Sequence, residues 1–288
     1  MILVTGAAGK TGRAVTRALQ LRGASVRALV HHQSQVATLK TLGASEVIIG
    51  DFLKPEDLKK AVEGVHAVYY ICPNVNPSEV EIGRQLIALA KAARVTHFVY
   101  HSVLHPQIEA MPHHWNKMRV EEELFASGLP FTILQPAAYM QNILGGWSSI
   151  VRDGVYPIPY APQTRLTMVD LEEAAEAAAL VLTQPEHINA TYELAAPGFL
   201  SQVEVAHTLS QVLGKNIAIQ VIPRTIWAEN ALASGMDAYA VETLIKMFEY
   251  YERYHFSGNP QVLSWLLKRN PATFADFLRK HLGRAQSN

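Results

Sequence analysis

Unbroken apolar runs recur through the first half of the chain, each followed by a stretch whose apolar positions fall three and four apart. The runs lie at residues 2–4, 25–30, 46–49, 67–71, 97–102 and 131–135. Apolar runs without polar alternation belong to strands covered on both faces. The intervening spacing predicts helices over 13–19, up to residue 42, over 55–63, 78–94 and from Pro112 to the stop at Gly128. Ile82, Leu86, Leu89, Ala90 and Ala93 form the expected core face of the fourth helix, and Trp115, Met118 and Phe125 that of the fifth. Six strand–helix alternations predict an α/β fold with a doubly wound parallel sheet, in which ligands bind beyond the carboxyl ends of the strands. Gly6, His31, Asp51, Cys72, Ser102 and Pro136 fall at those ends.

Beyond Pro136 the alternation stops. Pro157, Pro159 and Pro162 mark an irregular loop, residues 166–169 form a short strand, and Asp170 caps a helix through Leu182. A strand at 190–194 is able to rejoin the sheet. The remainder reads as mostly helical, over 202–213, 225–233, 237 to about 254 and 271–281, with one strand at 217–222. The expected division is therefore a nucleotide-binding domain over 1–153, rejoined near 190–195, and a smaller, mostly helical substrate-binding cap over 154–288.

The first strand runs directly into Gly6-Ala7-Ala8-Gly9-Lys10-Thr11-Gly12 and then into a helix. A dinucleotide pyrophosphate is held by the bare N–H groups at a helix N-terminus, where the helix dipole also favours negative charge. Gly6 lets the chain reverse off the strand, Gly9 admits the phosphates to the backbone, and Gly12 permits close packing of the helix. The spacing is Gly-x-x-Gly-x-x-Gly, and its place between strand and helix makes it a candidate cofactor site. The second strand ends in His31-His32 with no carboxylate to repel a 2′-phosphate, and Lys10 is within reach of one, which favours NADP(H) over NAD(H). His31 and His32 read equally well as solvated loop residues. Asp51 is a candidate for the adenine edge.

Composition narrows the partners. The 288 residues are 49% hydrophobic with a formal net charge of zero, so no basic field draws in nucleic acid or an anionic membrane. The single cysteine, Cys72, leaves no internal disulfide and fits a reducing, cytoplasmic setting. Met1 leads almost directly into the glycine turn, without a secretion signal, and the most apolar later segment, 174–182, is too short to span a bilayer.

Ser102 closes the fifth strand, and His113 and Lys117 lie four apart on the next helix, hence on one face of it. Together they are the candidate catalytic group, converging near a nicotinamide. A lysine there binds the cofactor ribose and, if desolvated or beside another cation, suits acid–base work. The plainer alternative is an exposed lysine paired with Glu121. His97, His101, His105, His113 and His114 invite a metal reading, but no His-x-x-x-His pair falls on a helix, and no metal is expected. His101 is expected to be packed or hydrogen-bonded within its strand. Met140, Tyr139, Trp147 and Tyr156 line either an aromatic pocket or a core, and the same holds for Tyr250, Tyr251, Tyr254, His255 and Phe256.

The turn from Thr5 to Gly12, Val99-Tyr100-His101-Ser102, His114-Trp115-Asn116-Lys117, the segment from Ser127 to Pro136 and Met140-Gln141-Asn142 together resemble the NmrA-like branch of the atypical short-chain dehydrogenases/reductases. The likeness is close over the first half and holds in outline over the second. It implies an NADP(H)-binding Rossmann domain with a smaller substrate domain. The candidate cofactor-binding residues are Gly6, Ala8, Gly9, Lys10, Thr11 and Gly12, His31 and His32 (where the family commonly has an arginine), Asp51 and Phe52, Cys72 and Pro73, Lys117 and Pro136. Short-chain dehydrogenases at large use a Tyr-x-x-x-Lys pair with a serine; here His113 stands at the tyrosine position, while Lys117 and Ser102 remain. The resemblance implies an NADPH-dependent reductase of a small conjugated electrophile such as a quinone, by direct hydride transfer. The alternative is a non-catalytic NADP(H) sensor acting through a protein partner, and either form is compatible with an oligomer.

Overall fold

Six short segments of bulky apolar residues fold as parallel strands because helices return the chain to the same end of the sheet each time. In the computed structural model, which describes residues 1–286, the series runs β1 (Ile2–Val4), α1 (Lys10–Leu21), β2 (Val26–Val30), α2 (Val36–Thr41), β3 (Glu46–Ile49), α3 (Pro55–Val62), β4 (Ala67–Tyr70), α4 (Glu79–Ala92), β5 (His97–His101), α5 (Pro112–Ser127) and β6 (Phe131–Pro136). It continues with β7 (Ala138–Tyr139), β8 (Val155–Ile158), β9 (Arg165–Val169), α6 (Leu171–Thr183), β10 (Ala190–Leu194), β11 (Phe199–Ser201), α7 (Gln202–Leu213), β12 (Ala218–Val221), α8 (Arg224–Ala233), α9 (Ala238–Tyr254), α10 (Gln261–Leu267) and α11 (Phe274–Gln286). Among these described residues no helix is long and apolar enough to cross a membrane.

The main sheet has the order β10-β6-β5-β4-β1-β2-β3, and β1 to β6 pair in parallel. This is the doubly wound α/β fold expected from the apolar runs. The order reverses at β1, between β4 and β2, the kind of switch point at which such sheets open a crevice for ligands. Two contiguous groups of helices cover it: α1 packs on α6, and α3, α4 and α5 pack in series. Leu3, Val68, Phe98 and Ile133 from the strands and Leu58, Ile82, Leu86 and Leu124 from the helices share one core.

The chain divides into two compact units. The first comprises Met1–Gln107, His113–Pro136 and Leu171–Tyr192; the second comprises Ile108–Pro112, Ala137–Asp170 and the chain from Glu193 onward. The second has its own core, built on Ile150, Tyr156, Leu209, Phe274 and Leu278. Its strands are short: β9 lies between β11 (antiparallel) and β7 (parallel), and β8 pairs in parallel with β12. Met140 and Tyr156 belong to that core, with the Tyr156 hydroxyl donating to Gln202 Oε1 at 2.7 Å, and Trp147 lies edge-on to His281.

Two helix faces differ from the periodic reading. Ala93 is the exposed C-cap of α4, because the helix ends one residue earlier. On α5, Trp115 and Met118 are half-buried and Phe125 is 56% exposed, edge-on to Phe131. The buried stripe of α5 is instead His113, His114, Val120, Glu121 and Leu124. Glu121 and His114 hold inward positions against polar partners, the side chains of Ser102 and Gln135 and the His105 carbonyl, and a reading based on apolar spacing rotates the helix away from them.

Candidate active site

Three local features shape the turn after β1. The Thr5 hydroxyl donates to the Ile71 carbonyl at 3.0 Å and accepts from the Ile71 N–H at 2.9 Å, tying the end of β1 to the end of β4. Gly6 has φ +55°, which reverses the chain, and its carbonyl accepts from the Gly9 N–H at 3.0 Å. Gly9 is the N-cap of α1, and no side chain caps that helix. A Cβ on Gly12 would lie 2.3 Å from the Gly6 oxygen and 2.5 Å from Ala7 Cα. What Gly12 admits is thus the backbone of the turn itself, folded down on the first turn of α1, whereas the motif suggested helix-to-sheet packing. The result is a tight backbone cradle with helix N–H groups left without side-chain partners, which fits a dinucleotide pyrophosphate.

Parallel register places the other strand ends along the same edge. His31 and His32 are exposed after β2, their N–H groups both donating to Gln35 Oε1 and their rings 4.5 Å apart. Lys10 is also exposed, and Ala8 and Thr11 are partly so. Asp51 uses its Oδ1 to accept from the Leu53 N–H at 2.9 Å, shaping the half-buried exit at Asp51 and Phe52. Pro73 is exposed and Pro136 buried. Cys72 is buried, and that burial, followed by the Glu79 charge, pushes its thiol up to about 12. We expect Cys72 to resist iodoacetamide at pH 8 in the native protein and to react fully in urea, as read by mass spectrometry.

The candidate catalytic residues separate into two networks. Lys117, 16% exposed, places Nζ 2.6 Å from Glu79 Oε1 and 3.5 Å from the His101 carbonyl, and 5.6 Å from the Tyr100 ring centre. Its partner is therefore Glu79, not Glu121, because Glu121 lies on the inward face and is engaged elsewhere. Ser102 donates to Glu121 Oε1, and Gln135 Nε2 donates to both Glu121 oxygens at 3.0 and 3.1 Å. This trio follows from register: His101 faces Leu134, so Ser102 stands opposite Gln135 beneath α5. Burial raises the Glu121 carboxyl above its ordinary value. Ser102 thus turns into the packing between β5, β6 and α5.

His113 is buried on α5, its Nδ1 without a hydrogen-bond partner among the described residues. Burial, then His114 and then Lys117, pushes its imidazole down to about 2. His101 is hydrogen-bonded within its strand, Nδ1 lying 2.6 Å from the Tyr69 hydroxyl, and burial followed by Lys117 lowers it to about 3. Both rings are neutral at neutral pH and offer hydrogen bonds without charge. The other histidines are likewise engaged in packing, His97 with Thr132 at 2.8 Å and His114 with the His105 carbonyl at 3.2 Å. No group of three metal-ligating side chains occurs among the described residues.

A model of the NmrA-like family matches residues 1–278. The chain belongs to the NmrA-like family. It is 29% identical over 286 residues to an NAD(P)H azoreductase of Xenophilus azovorans, covering 98% of both chains. It is 26% identical over 238 residues to quinone oxidoreductase 2 of Escherichia coli, covering 82% of each. The triphenylmethane reductase of Citrobacter superposes with a TM-score of 0.85 at 25% identity, over 98% of this chain and 99% of that one. Within this NmrA-like chain, sequence reasoning missed Glu79. Its signal was present, since it stands three before Ile82 and seven before Leu86 and so continues the apolar stripe of α4. A lone carboxylate on a core stripe implies a buried cationic partner.

Proposed function

We propose that this protein is an NAD(P)H-dependent reductase, preferring NADPH, of a small conjugated electrophile such as a quinone. The observation that carries the reading is the backbone cradle at the start of α1, where Gly6 turns the chain at φ +55°, Gly12 leaves no room for a side chain and no side chain caps the helix. Ala8, Thr11 and Gly12 would hold the pyrophosphate by their N–H groups over the bare backbone of Gly9, with Lys10, His31 and His32 near the 2′-phosphate and Asp51, Phe52, Cys72, Pro73 and Pro136 along the remaining strand ends. Reduced nicotinamide, when bound, supplies a hydride directly to the acceptor. Lys117 would hydrogen-bond the ribose and the acceptor oxygen, stabilising the charge that develops there. His113, neutral and with an unsatisfied Nδ1, would contribute a second hydrogen bond without a full charge. Ser102 would act through Glu121 and Gln135 to fix α5, the helix that carries both residues. The azoreductase and quinone oxidoreductase relatives support a flat aromatic acceptor.

The test is an NADPH fluorescence titration followed by oxidation against a panel of quinones and enones. We expect binding tighter for NADPH than for NADH, turnover with quinones, and a fall of about a hundredfold in kcat/KM for Lys117→Ala, with NADPH affinity reduced by no more than about tenfold through the lost ribose contact. Tight binding with no oxidation across the panel would replace the reductase by a sensor acting through a protein partner. Failure to bind either nucleotide would remove both.

A further inference from the structure

Glu79 buries a carboxylate at the first position of α4, where its side chain is only 1% exposed. The proposed chemistry does not by itself require a charge there. A buried carboxylate is tolerated only when its oxygens are paired, and here one oxygen, Oε1, takes both partners: Lys117 Nζ at 2.6 Å and the Tyr100 hydroxyl at 3.0 Å. Tyr100 is fully buried and stacks on Tyr70, ring centres 5.3 Å apart, so its hydroxyl is a fixed donor. The helix N-terminus at Glu79 favours a negative charge as well.

The seam between α4 and α5 sets the reach. Gly83, one turn beyond Glu79, lies so close to Val120 that a Cβ there would be 2.9 Å from both Val120 methyls. Val120 follows Lys117 by three residues, so both pairs stand along one seam, and the missing side chain at Gly83 lets the helices approach until Glu79 meets Lys117. The lysine stem is otherwise a flexible chain with three rotatable donors.

We propose that Glu79 is the positioning residue for Lys117, holding its ammonium against the carboxyl end of β5 as an oriented hydrogen-bond donor for ribose and acceptor oxygen. This rests on the reductase reading above. The ion pair fixes the direction in which the Lys117 ammonium points, and with it the place where its remaining hydrogen-bond donors act. Glu79 touches neither substrate nor cofactor and acts only through the lysine.

Two readouts on the full chain test it: the rate at which an amine reagent labels Lys117, followed by peptide mass spectrometry, and NADPH oxidation with a benzoquinone. In Glu79→Gln the tether and the counter-charge are both lost. The Lys117 labelling rate at fixed pH is expected to rise at least about tenfold, with exposed Lys59 unchanged as an internal reference, and kcat to fall by a similar factor. In a Lys117→Met background the same change should cost no further activity. Should Glu79→Gln fail to fold, Tyr100→Phe removes one of the two bonds to Oε1 and is expected to raise Lys117 labelling about threefold. Unchanged Lys117 labelling in a folded Glu79→Gln or Tyr100→Phe protein would overturn the proposal, as would an equal loss of activity with and without Lys117. A wild-type protein that neither binds nor oxidises NADPH would remove the reductase reading, while the labelling comparison would still decide the coupling.

Discussion

Gly12→Ala is expected to abolish useful dinucleotide binding, lowering NADPH affinity by at least about a hundredfold, and to cost about 1–3 kcal/mol of stability. The new methyl would stand 2.3 Å from the Gly6 carbonyl oxygen, 2.5 Å from Ala7 Cα and 2.9 Å from the Ala7 carbonyl carbon. All three are backbone atoms, so no rotamer change relieves the clash and the turn itself must lift from α1. Gly9→Ala is the informative control. Gly9 has an ordinary φ of −71°, and its Cβ would meet only the Gly6 oxygen at 3.3 Å. That variant should fold with a melting temperature close to wild type and lose affinity only because a methyl now stands at the helix N-terminus. Fluorescence titration and thermal melts on the two variants separate damage to the turn from obstruction of it. Wild-type affinity in Gly12→Ala would refute the cradle.

The second large effect is acid lability. Burial lowers His97 and His114 to about 4, His101 to about 3 and His113 to about 2, whereas each titrates near 6.5 once unfolded. Between the folded and unfolded values the unfolded chain binds more protons, so stability falls as the pH falls below about 6.5, and above it the effect vanishes. At pH 5 unfolding takes up between about three and four protons at these sites, a slope on the order of 5 kcal/mol per pH unit. Glu121, raised by burial, binds its proton earlier in the folded state and offsets at most about one of them. Integrated from neutral pH down to pH 5, the four histidines together remove up to about 8 kcal/mol, comparable with a total stability of about 5–15 kcal/mol, so a large loss of stability is expected by pH 5 and unfolding below it. Urea titrations from pH 8 to pH 5 measure the slope. His101→Gln, which keeps a hydrogen-bonding group near Tyr69 but cannot charge, should reduce it by about 1.4 kcal/mol per pH unit. Equal stability at pH 7.5 and pH 5 would show that these histidines are not held neutral.

The parts of the site that were legible are those encoded within a few residues of one another. Thr5 to Gly12 announces a turn and a helix start by composition, and β1 to β6 announce themselves as apolar runs, since a strand buried on both faces has no polar alternation to disguise it. The edge along which His31, Asp51, Cys72, Ser102 and Pro136 are strung followed from parallel pairing. The segments β7, β8 and β11 escaped because none is a continuous buried apolar run, and α5 defeated the apolar periodicity because much of its inward face is built from His113, His114 and Glu121.

The amino-acid order alone therefore determined the α/β class, the alternation of β1–β6 with α1–α5 and the glycine turn at the start of the candidate site, because each of these depends on local periodicity and on where glycine replaces a side chain. Packing between distant segments decided the partners: Lys117 with Glu79, Ser102 with Glu121, and His101 with Tyr69, separated by 38, 19 and 32 residues along the chain. Those pairings depend on strand register and on how closely two helices approach at Gly83 and Val120. Such distances arise only when the whole sheet is assembled, so the end of the site where chemistry is proposed could not be read from spacing along one helix.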